Sequence, residues 1–314
     1  MHRKINSEAL NSFVESQLQD WPLASDNFTK LREVRRKQIP LGEFDSYIQC
    51  NPARIVSTGA KVDKDAIASR RCFLCAANRP AEQHVVEILD GWEFLLNPYP
   101  ILPMHFTIAA KEHVPQTSIP LDLAAMTEKA PELVFFFNGA RAGASAPDHM
   151  HTQAVLSSEL PILHLAEKFH PLSEKRFMSS EDFGIELPFH FISAVIPADL
   201  NGMKMLAKIS NAFGIDETTG NRDKGLVNAF FWMDNTGYLR VIVVPRRRHR
   251  PSCYNASGDD NYMISPGCID MAGIMVCPRA WDFERLNATK IKEIYSEVAF
   301  ANKLPQEIKE HFTI

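Results

Sequence analysis

Two histidines and a glutamine occupy alternate positions in the stretch APDHMHTQAV, residues 146–155. If this stretch is extended, the period-two alternation of a strand places His149, His151 and Gln153 on one face. A neutral imidazole can attack phosphorus, since its ordinary pKa of about 6.5 leaves much of it unprotonated at neutral pH. The alternative interpretation is the solvent-facing side of a half-exposed strand.

The amide at position 153 narrows the chemistry that this strand could perform. Gln153 can donate a hydrogen bond to a phosphoryl oxygen, but it cannot act as a general acid or base. Activation of water usually requires a titratable group, whereas transfer to an oxyanion acceptor does not. The pattern therefore favours nucleotidyl transfer over hydrolysis.

A second group of residues could bind a metal ion. Cys72 and Cys75 form a Cys-x-x-Cys pair, which is often half of a four-ligand zinc site. The candidates for the other two ligands are His113, in KEHVP, and His149. We expect structural zinc with a closed set of ligands, holding the strand so that His151 is correctly aimed. The alternative is a pair of small buried residues at the start of a strand.

A basic run follows an apolar stretch in the second half of the chain, at residues 246–249. Guanidinium groups suit bidentate phosphate binding, and loops at strand ends are where binding groups concentrate. We therefore expect Arg246 and Arg248 to contact substrate. A solvated strand end is the alternative.

Two longer segments carry a resemblance to a known family. NPYPILPMHFTIAAKEHVP and FFFNGARAGASAPDHMHTQAV, residues 97–115 and 135–155, resemble the histidine triad (HIT) superfamily. The similarity is to its His-x-His-x-Gln branch, which contains galactose-1-phosphate uridylyltransferases, diadenosine tetraphosphate phosphorylases and GDP-L-galactose phosphorylases. It spans roughly residues 50–160, and ISPGCIDMAGIMVCPRAWDF, residues 264–283, resembles the C-terminal part of the GDP-hexose phosphorylases.

The resemblance implies roles for individual residues. His151 would be the nucleophile and Gln153 the amide that contacts phosphate. Residues along the phosphate path or near the nucleotide would be Asn138, Ser145, Asn51 and Arg54. The order of the Cys and His ligands also resembles the zinc site of the uridylyltransferases. One departure is Asp148, which separates Pro147 from His149 where the uridylyltransferases run proline directly into histidine, so the loop upstream, with Ser145, is displaced by one residue.

The elements around these motifs predict an α+β fold. Residues 5–37 have a helical pattern, and Asp90-Gly91 between two apolar runs is typical of a hairpin turn. The second half repeats the outline of the first, with ISPGCIDMAG where the first half has its histidines. We expect a HIT-like fold of two sheet-and-helix halves, forming a duplicated, largely antiparallel sheet with flanking helices. The expected divisions are an N-terminal helical segment (1–45), a catalytic half (46–180) and a degenerate half (181–314).

Composition excludes several classes of function. The net charge of −4 without a long basic block argues against nucleic-acid binding. The N-terminus lacks the apolar core of a signal peptide, and no apolar run approaches the ~20 residues that a membrane helix needs. We expect a cytoplasmic protein with no membrane partner and with reduced cysteines.

Together these features predict a nucleotidyltransferase or phosphorylase. Its substrate would be a nucleoside diphosphate sugar or a dinucleoside polyphosphate, its intermediate a nucleotidyl-histidine, and its other ligand a sugar phosphate or phosphate. The alternatives are a non-catalytic nucleotide sensor and a nucleotide hydrolase. The base, the sugar and the oligomeric state stay open.

Overall fold

The computed structural model describes residues 4–59, 64–169, 177–214 and 225–312. The strands in these ranges are β1 (Arg35–Leu41), β2 (Phe44–Cys50), β3 (Val86–Leu89), β4 (Trp92–Leu96), β5 (Phe106–Ala110), β6 (Leu133–Asn138), β7 (His151–Leu156), β8 (Phe177–Ser179), β9 (Ile192–Ile196), β10 (Val227–Met233), β11 (Leu239–Pro245) and β12 (Ile274–Cys277). The helices are α1 (Ser7–Asp20), α2 (Pro22–Leu31), α3 (Ile55–Thr58), α4 (Lys64–Ala68), α5 (Leu123–Lys129), α6 (Pro161–Phe169), α7 (Leu200–Phe213), α8 (Cys268–Met271), α9 (Ala280–Arg285), α10 (Ala288–Val298) and α11 (Gln306–Phe312).

Both halves of the chain contribute to one nine-stranded sheet. Its order is β3-β4-β5-β7-β6-β10-β11-β9-β8, and every neighbouring pair is antiparallel. The halves meet where β6 pairs with β10, with Phe136 opposite Phe230. The α+β prediction of two halves that share a duplicated antiparallel sheet is therefore confirmed. The proposed boundary after residue 180 falls next to β8, which already pairs with the second half.

The central strands of the sheet are buried on both faces. Along β6, Phe135 and Phe137 pack with helices α1, α2, α5, α7 and α11, while Phe136 packs on the other side with α6, α8, α9 and α10. A continuous apolar run is what a strand covered on both faces requires.

A small second sheet, of order β1-β2-β12, lies on the Phe136 side. The helical prediction for residues 5–37 is right for α1 and α2 but wrong from Arg35 onward. There, all seven residues of β1 pair with β2 across a turn in which Gly42 has a φ of 75°. This cross-strand pairing outweighs the local helical pattern.

The segment resembling GDP-hexose phosphorylases, residues 264–283, contains a short helix followed by a short strand. Its strand is limited to β12, because residues 268–271 form the short helix α8, at whose start the Asp270 carboxylate accepts the Gly267 N–H at 2.9 Å. Two separate helices follow, α9 and α10, and the Asn287 side chain caps the second. Among the described residues, no helix combines the length and the apolar character needed to cross a membrane.

Candidate active site and metal centre

The histidine strand lies inside the large sheet, between β5 and β6. His151 is opposite Ala109, and Gln153 is opposite Thr107. Val155 packs into the core on the side of the small sheet, so the alternation of the strand directs Gln153 and His151 to that same side. The expectation of a shared strand face is met for these two residues, but His149 lies before the start of β7, against Cys72 and His113.

His151 is held as a neutral imidazole with a defined tautomer. Its Nδ1 lies 2.8 Å from the His149 carbonyl oxygen, which can only accept, so Nδ1 carries the proton. Burial lowers the pKa of His151 to about 4. His151 is 3% exposed, and its Nε2 has no hydrogen-bond partner in the described part of the chain. This nitrogen nevertheless keeps some solvent-accessible surface. The unprotonated nitrogen is thus the one open to an incoming group.

Gln153 is oriented by a histidine that the sequence did not single out as functional. His105 Nδ1 accepts the Ile101 N–H at 3.1 Å, so its proton is on Nε2, which lies 2.7 Å from Gln153 Oε1. Burial, followed by the nearby Arg54 charge, lowers the pKa of His105 to about 3, so the ring is neutral. With Oε1 engaged, the Gln153 side chain offers its amide nitrogen as a donor.

A small cleft of about 80 Å³ opens next to Gln153. The first half lines it with Arg54, Thr58, Ile101, Phe136, Asn138, Gly143, Ala144, Ser145 and Gln153, and the second half with His249, Arg250, Ser265, Gly267, Cys268, Ile269, Asp270 and Val276. The expected substrate residues Arg54, Asn138 and Ser145 therefore come together around Gln153. His151, two positions before Gln153 on β7, is not itself among the lining residues.

Three other expected substrate residues do not line the cleft. Asn51 is 2% exposed, and its amide donates to the Pro100 carbonyl oxygen at 3.1 Å. Arg248 is exposed and pairs with Glu297 at 3.3 Å. In the same basic run, His249 and Arg250 line the cleft instead.

Arg246, the third of these residues, is 3% exposed and all of its donors are engaged within the protein. Its guanidinium donates to Asn228 Oδ1 at 2.5 Å and to the carbonyl oxygens of residues 298, 266, 248 and 249 at 2.9–3.3 Å. It therefore holds together the second-half segments that form the cleft wall.

Charged groups of both signs line the cleft. Burial lowers the pKa of Arg54 to about 10, which leaves it charged at neutral pH. Burial also raises the pKa of Asp270 to about 6, although hydrogen bonds from Val276 and Gly267 and the charge of Arg54 oppose this shift. Two guanidinium groups, Arg54 and Arg250, against one carboxyl group favour an anionic ligand.

The four expected metal ligands form one cluster. Nδ1 of His149 lies 3.3 Å from Cys72 Sγ and 3.6 Å from Cys75 Sγ, and Nδ1 of His113 lies 3.2 Å from both Cys75 Sγ and His149 Nδ1. All four ligand atoms lie within 4.8 Å of one another. One ion with bonds of about 2.0–2.3 Å can join donors at this spacing.

The second contact of His149 supports the same assignment. Its Nε2 donates to the Ala110 carbonyl oxygen at 2.8 Å, which leaves Nδ1 unprotonated and facing the cluster. Metal-bound histidines usually donate their other N–H in this way. The residues present therefore fit a metal ion with sulfur and nitrogen ligands.

The sequence interpretation missed residues whose roles depend on distant pairing. His105 is a diagonal neighbour of Gln153 only in the β5–β7 register, and Gln116 meets His151 from a loop. Asp270 carried no motif of its own. Arg250 had a signal, since it directly continues the basic run.

Comparisons with known proteins agree with this fold. Residues 13–156 match a family model described as a domain of unknown function, DUF4922. No curated protein matches the sequence. The structure of yeast Ap4A phosphorylase Apa2 is similar with a TM-score of 0.58 at 15% identity, over 90% of this chain and 98% of that one.

Two ligand complexes of the same yeast enzyme are also similar. Its complex with AMP gives a TM-score of 0.53, and its complex with Ap4A gives 0.55, each at 14% identity over 92% of this chain and 98% of the other. The chain therefore has the HIT-like fold that its motifs resemble. At 14–15% sequence identity, this similarity establishes a shared fold and does not extend to function.

Proposed function

We propose that the protein is a nucleotidyl-transferring enzyme, a phosphorylase or hexose-1-phosphate nucleotidyltransferase, that works through a nucleotidyl-histidine. The observation that carries this proposal is the unprotonated, unpartnered Nε2 of His151, on the same strand face as the oriented amide of Gln153. The fold shared with an Ap4A phosphorylase supports the same class of reaction. A dinucleoside polyphosphate is the first candidate substrate, and a nucleoside diphosphate sugar is the second.

In the proposed reaction, His151 Nε2 attacks the α-phosphorus of the substrate. The bond from phosphorus to the bridging oxygen breaks. The leaving group takes the electron pair, and it is a nucleoside polyphosphate if the substrate is a dinucleoside polyphosphate or a sugar phosphate if the substrate is a nucleoside diphosphate sugar. A phosphate or sugar 1-phosphate oxygen then attacks the same phosphorus and releases the neutral imidazole. The Nδ1–H bond to the His149 carbonyl stabilises the positive charge that develops on the ring.

The cleft residues have distinct proposed tasks in this reaction. The Gln153 amide and the Asn138 side chain donate to phosphoryl oxygens, and Arg54 and Ser145 bind the remaining phosphates. Asn51 and Arg246 support the walls of the cleft. Arg248, exposed beside His249, would contact a part of the substrate that extends outward.

We also propose that the Cys72, Cys75, His113 and His149 cluster holds zinc. The ion would be structural, since four protein ligands leave no open position for substrate. It would tie the Cys-x-x-Cys turn and His113 to His149, the residue that fixes the tautomer of His151. Thiolate ligands of this kind need a reducing compartment, which agrees with a cytoplasmic location.

The adduct provides the direct test of this function. The protein is incubated with Ap4A, UDP-hexose or GDP-hexose, with and without phosphate, and its intact mass is recorded. We expect one added nucleotidyl group, which phosphate or sugar phosphate removes. His151→Ala should abolish the adduct, whereas His164→Ala, an exposed histidine of α6, should retain it.

Absence of any adduct and any turnover across these substrates would contradict the proposal. An adduct of equal yield in His151→Ala would do the same, because another group would then be the nucleophile. Turnover that proceeds equally without phosphate would assign a hydrolase. Binding without product would assign a nucleotide sensor.

A further inference from the structure

Gln116 joins the two strands that carry the proposed phosphate contact and nucleophile. It lies between β5 and α5 and is 1% exposed. Its Nε2 donates to the Asn138 carbonyl oxygen at 2.6 Å, and its Oε1 accepts the His151 N–H at 2.9 Å. Its own N–H donates to the Pro147 carbonyl oxygen at 2.9 Å. A single side chain therefore fixes the end of β6 relative to the start of β7.

This bridge occurs where the direct pairing of the two strands stops. The β6–β7 ladder runs from Leu133 opposite Leu156 to Phe136 opposite Gln153 and goes no further. Beyond it the strands separate, and the cleft opens between Asn138 and Gln153. Gln116 supplies a donor and an acceptor at this opening, where two backbone groups would otherwise lack partners.

The side chain of Asn138 is held from the other half of the molecule. Its Oδ1 accepts from Asn228 Nδ2 at 3.0 Å and from the Cys268 N–H at 2.7 Å. Asn228 is in turn bound by Arg246 at 2.5 Å. The position of Asn138 relative to His151 thus depends on Gln116, while its side-chain orientation depends on the second half.

We propose that Gln116 is a positioning residue for nucleotidyl transfer, which sets the separation between the His151 imidazole and the phosphate contact at Asn138. This inference rests on the proposed function. Gln116 does not line the cleft, so its loss should slow the chemical step without weakening nucleotide binding. A misplacement of about 1 Å can cost roughly 100-fold in rate.

The chain contains a closely matched control in Gln17 of α1. This residue is 0% exposed, donates to the Glu82 carbonyl oxygen at 2.6 Å and accepts the His84 N–H at 2.7 Å. The same residue type thus makes the same two kinds of bond, and none of its partners lines the cleft.

The experiment compares Gln116→Glu with Gln17→Glu. A carboxylate keeps the shape and the acceptor oxygen but cannot donate to a carbonyl, whereas its protonated form can. Burial raises the pKa of such a carboxyl group, so lowering the pH should restore the donor. The rate of adduct formation from Ap4A in a single turnover is measured at pH 8 and pH 6, with AMP affinity by calorimetry.

For Gln116→Glu we expect a loss of about 100-fold in rate at pH 8 and at least a partial recovery at pH 6, relative to wild type. AMP affinity should stay within about threefold, and Gln17→Glu should transfer at the wild-type rate. Gln116→Leu, measured in parallel, removes both bonds without adding charge and should be slow at both pH values. Gln116→Leu therefore still tests the proposal if Gln116→Glu does not fold.

Equal rates in the Gln116 and Gln17 variants would overturn the proposal, as would a parallel loss of binding and rate. If wild type forms no adduct at all, the proposed function fails, and the positioning role is decided by NMR without nucleotide. The ¹⁵N resonances of the His151 imidazole should then shift in Gln116→Leu but not in Gln17→Leu. Unchanged resonances in both would overturn it independently.

Discussion

Two neutral imidazoles, His105 and His151, have their tautomers fixed by backbone groups. The first receives the Ile101 N–H and the second donates to the His149 carbonyl oxygen. The remaining nitrogen of each ring then has a defined protonation state. Nε2 of His105 is a donor toward Gln153, and Nε2 of His151 is an unprotonated acceptor. Backbone groups are well suited to this task, because their positions are set by the sheet.

The buried His105 should make folding sensitive to acid. Its pKa is about 3 in the folded protein and about 6.5 when unfolded, so between these values only the unfolded chain takes up the proton. Stability is therefore lost as the pH falls through this window, by on the order of 2 kcal/mol at pH 5 from this residue. Between pH 7 and pH 5, the free energy of unfolding of His105→Gln, measured with urea, should fall by about 2 kcal/mol less than that of wild type.

The exposed His164 provides the control for this measurement. His164→Gln should keep the full acid sensitivity, since this side chain lies on the outer face of α6. If His105→Gln and wild type lose the same stability on acidification, then the His105 ring is not held neutral by burial.

Sequence reasoning leads to the proposed chemical residues more readily than to the residues that orient them. The period-two spacing of His151 and Gln153 is local, and Cys72-x-x-Cys75 is a local ligand pair, so both are readable from a few positions. The parts played by His105 and Gln116 are not local. They depend on strand register and on a loop closing against β7, which spacing along the chain does not encode.

Among the elements, the proposed zinc site of Cys72, Cys75, His113 and His149 joins three segments that share little regular structure. Cys72 and Cys75 lie in a turn, His113 follows β5, and His149 precedes β7. Loss of the ion should therefore loosen the approach to β7 and reduce activity without any ligand touching the cleft.

Zinc content and stability test this cluster. We expect about one zinc per chain by elemental analysis, with loss of the ion in Cys72→Ser. Cys253→Ser, a change at a buried cysteine outside the cluster, should keep the metal. The metal-free variant should unfold at lower temperature, since binding free energy contributes to folding. Stoichiometric zinc in Cys72→Ser would contradict the assignment.

The elements that the sequence predicted well are those with strong local signals. The hairpin at Asp90-Gly91 forms between β3 and β4, with a φ of 81° at Gly91, and the helical pattern from residue 5 gives α1 and α2. The strand β1 was missed because its burial alternates only weakly and its pairing partner begins after Gly42.

At the scale of the whole molecule, the two halves contribute different residues to the cleft and its surroundings. The first half supplies the histidine strand and the Cys/His cluster, and the second half supplies the opposite wall of the cleft, including Arg250 and Asp270. The sequence predicted the second half as degenerate because its histidines are absent. Its contribution to the cleft became visible only with the pairing of β6 and β10, which spans residues far apart in the chain.

The junction between the halves, where β6 pairs with β10, should not tolerate added side-chain volume at Gly139. A β-carbon there would overlap the Gly225 carbonyl oxygen and lie 2.9 Å from that of Val227, to which the Gly139 N–H is bonded. Because both neighbours are backbone atoms, Gly139→Ala should cost about 1–3 kcal/mol of unfolding free energy. It should also weaken nucleotide binding, because Asn138 precedes this residue.

Gly214→Ala is the matched control, since Gly214 has a φ of −63° and its nearest obstacle is 3.2 Å away. It should change stability by less than Gly139→Ala in the same urea titration. A Gly139→Ala protein as stable as this control would show that the two halves can move apart at little cost.

The junction of β6 and β10 also limits how the chain could be divided. Every residue of β6, from Leu133 to Asn138, is buried, and its ladder to β10 lies in the middle of the sheet. A polypeptide cut between the halves would present two bare apolar edges, each with unpaired amide and carbonyl groups. The exposed edge strand of each fragment could pair with the other fragment or with a second copy of the same fragment. Reassembly from separate fragments should therefore compete with aggregation.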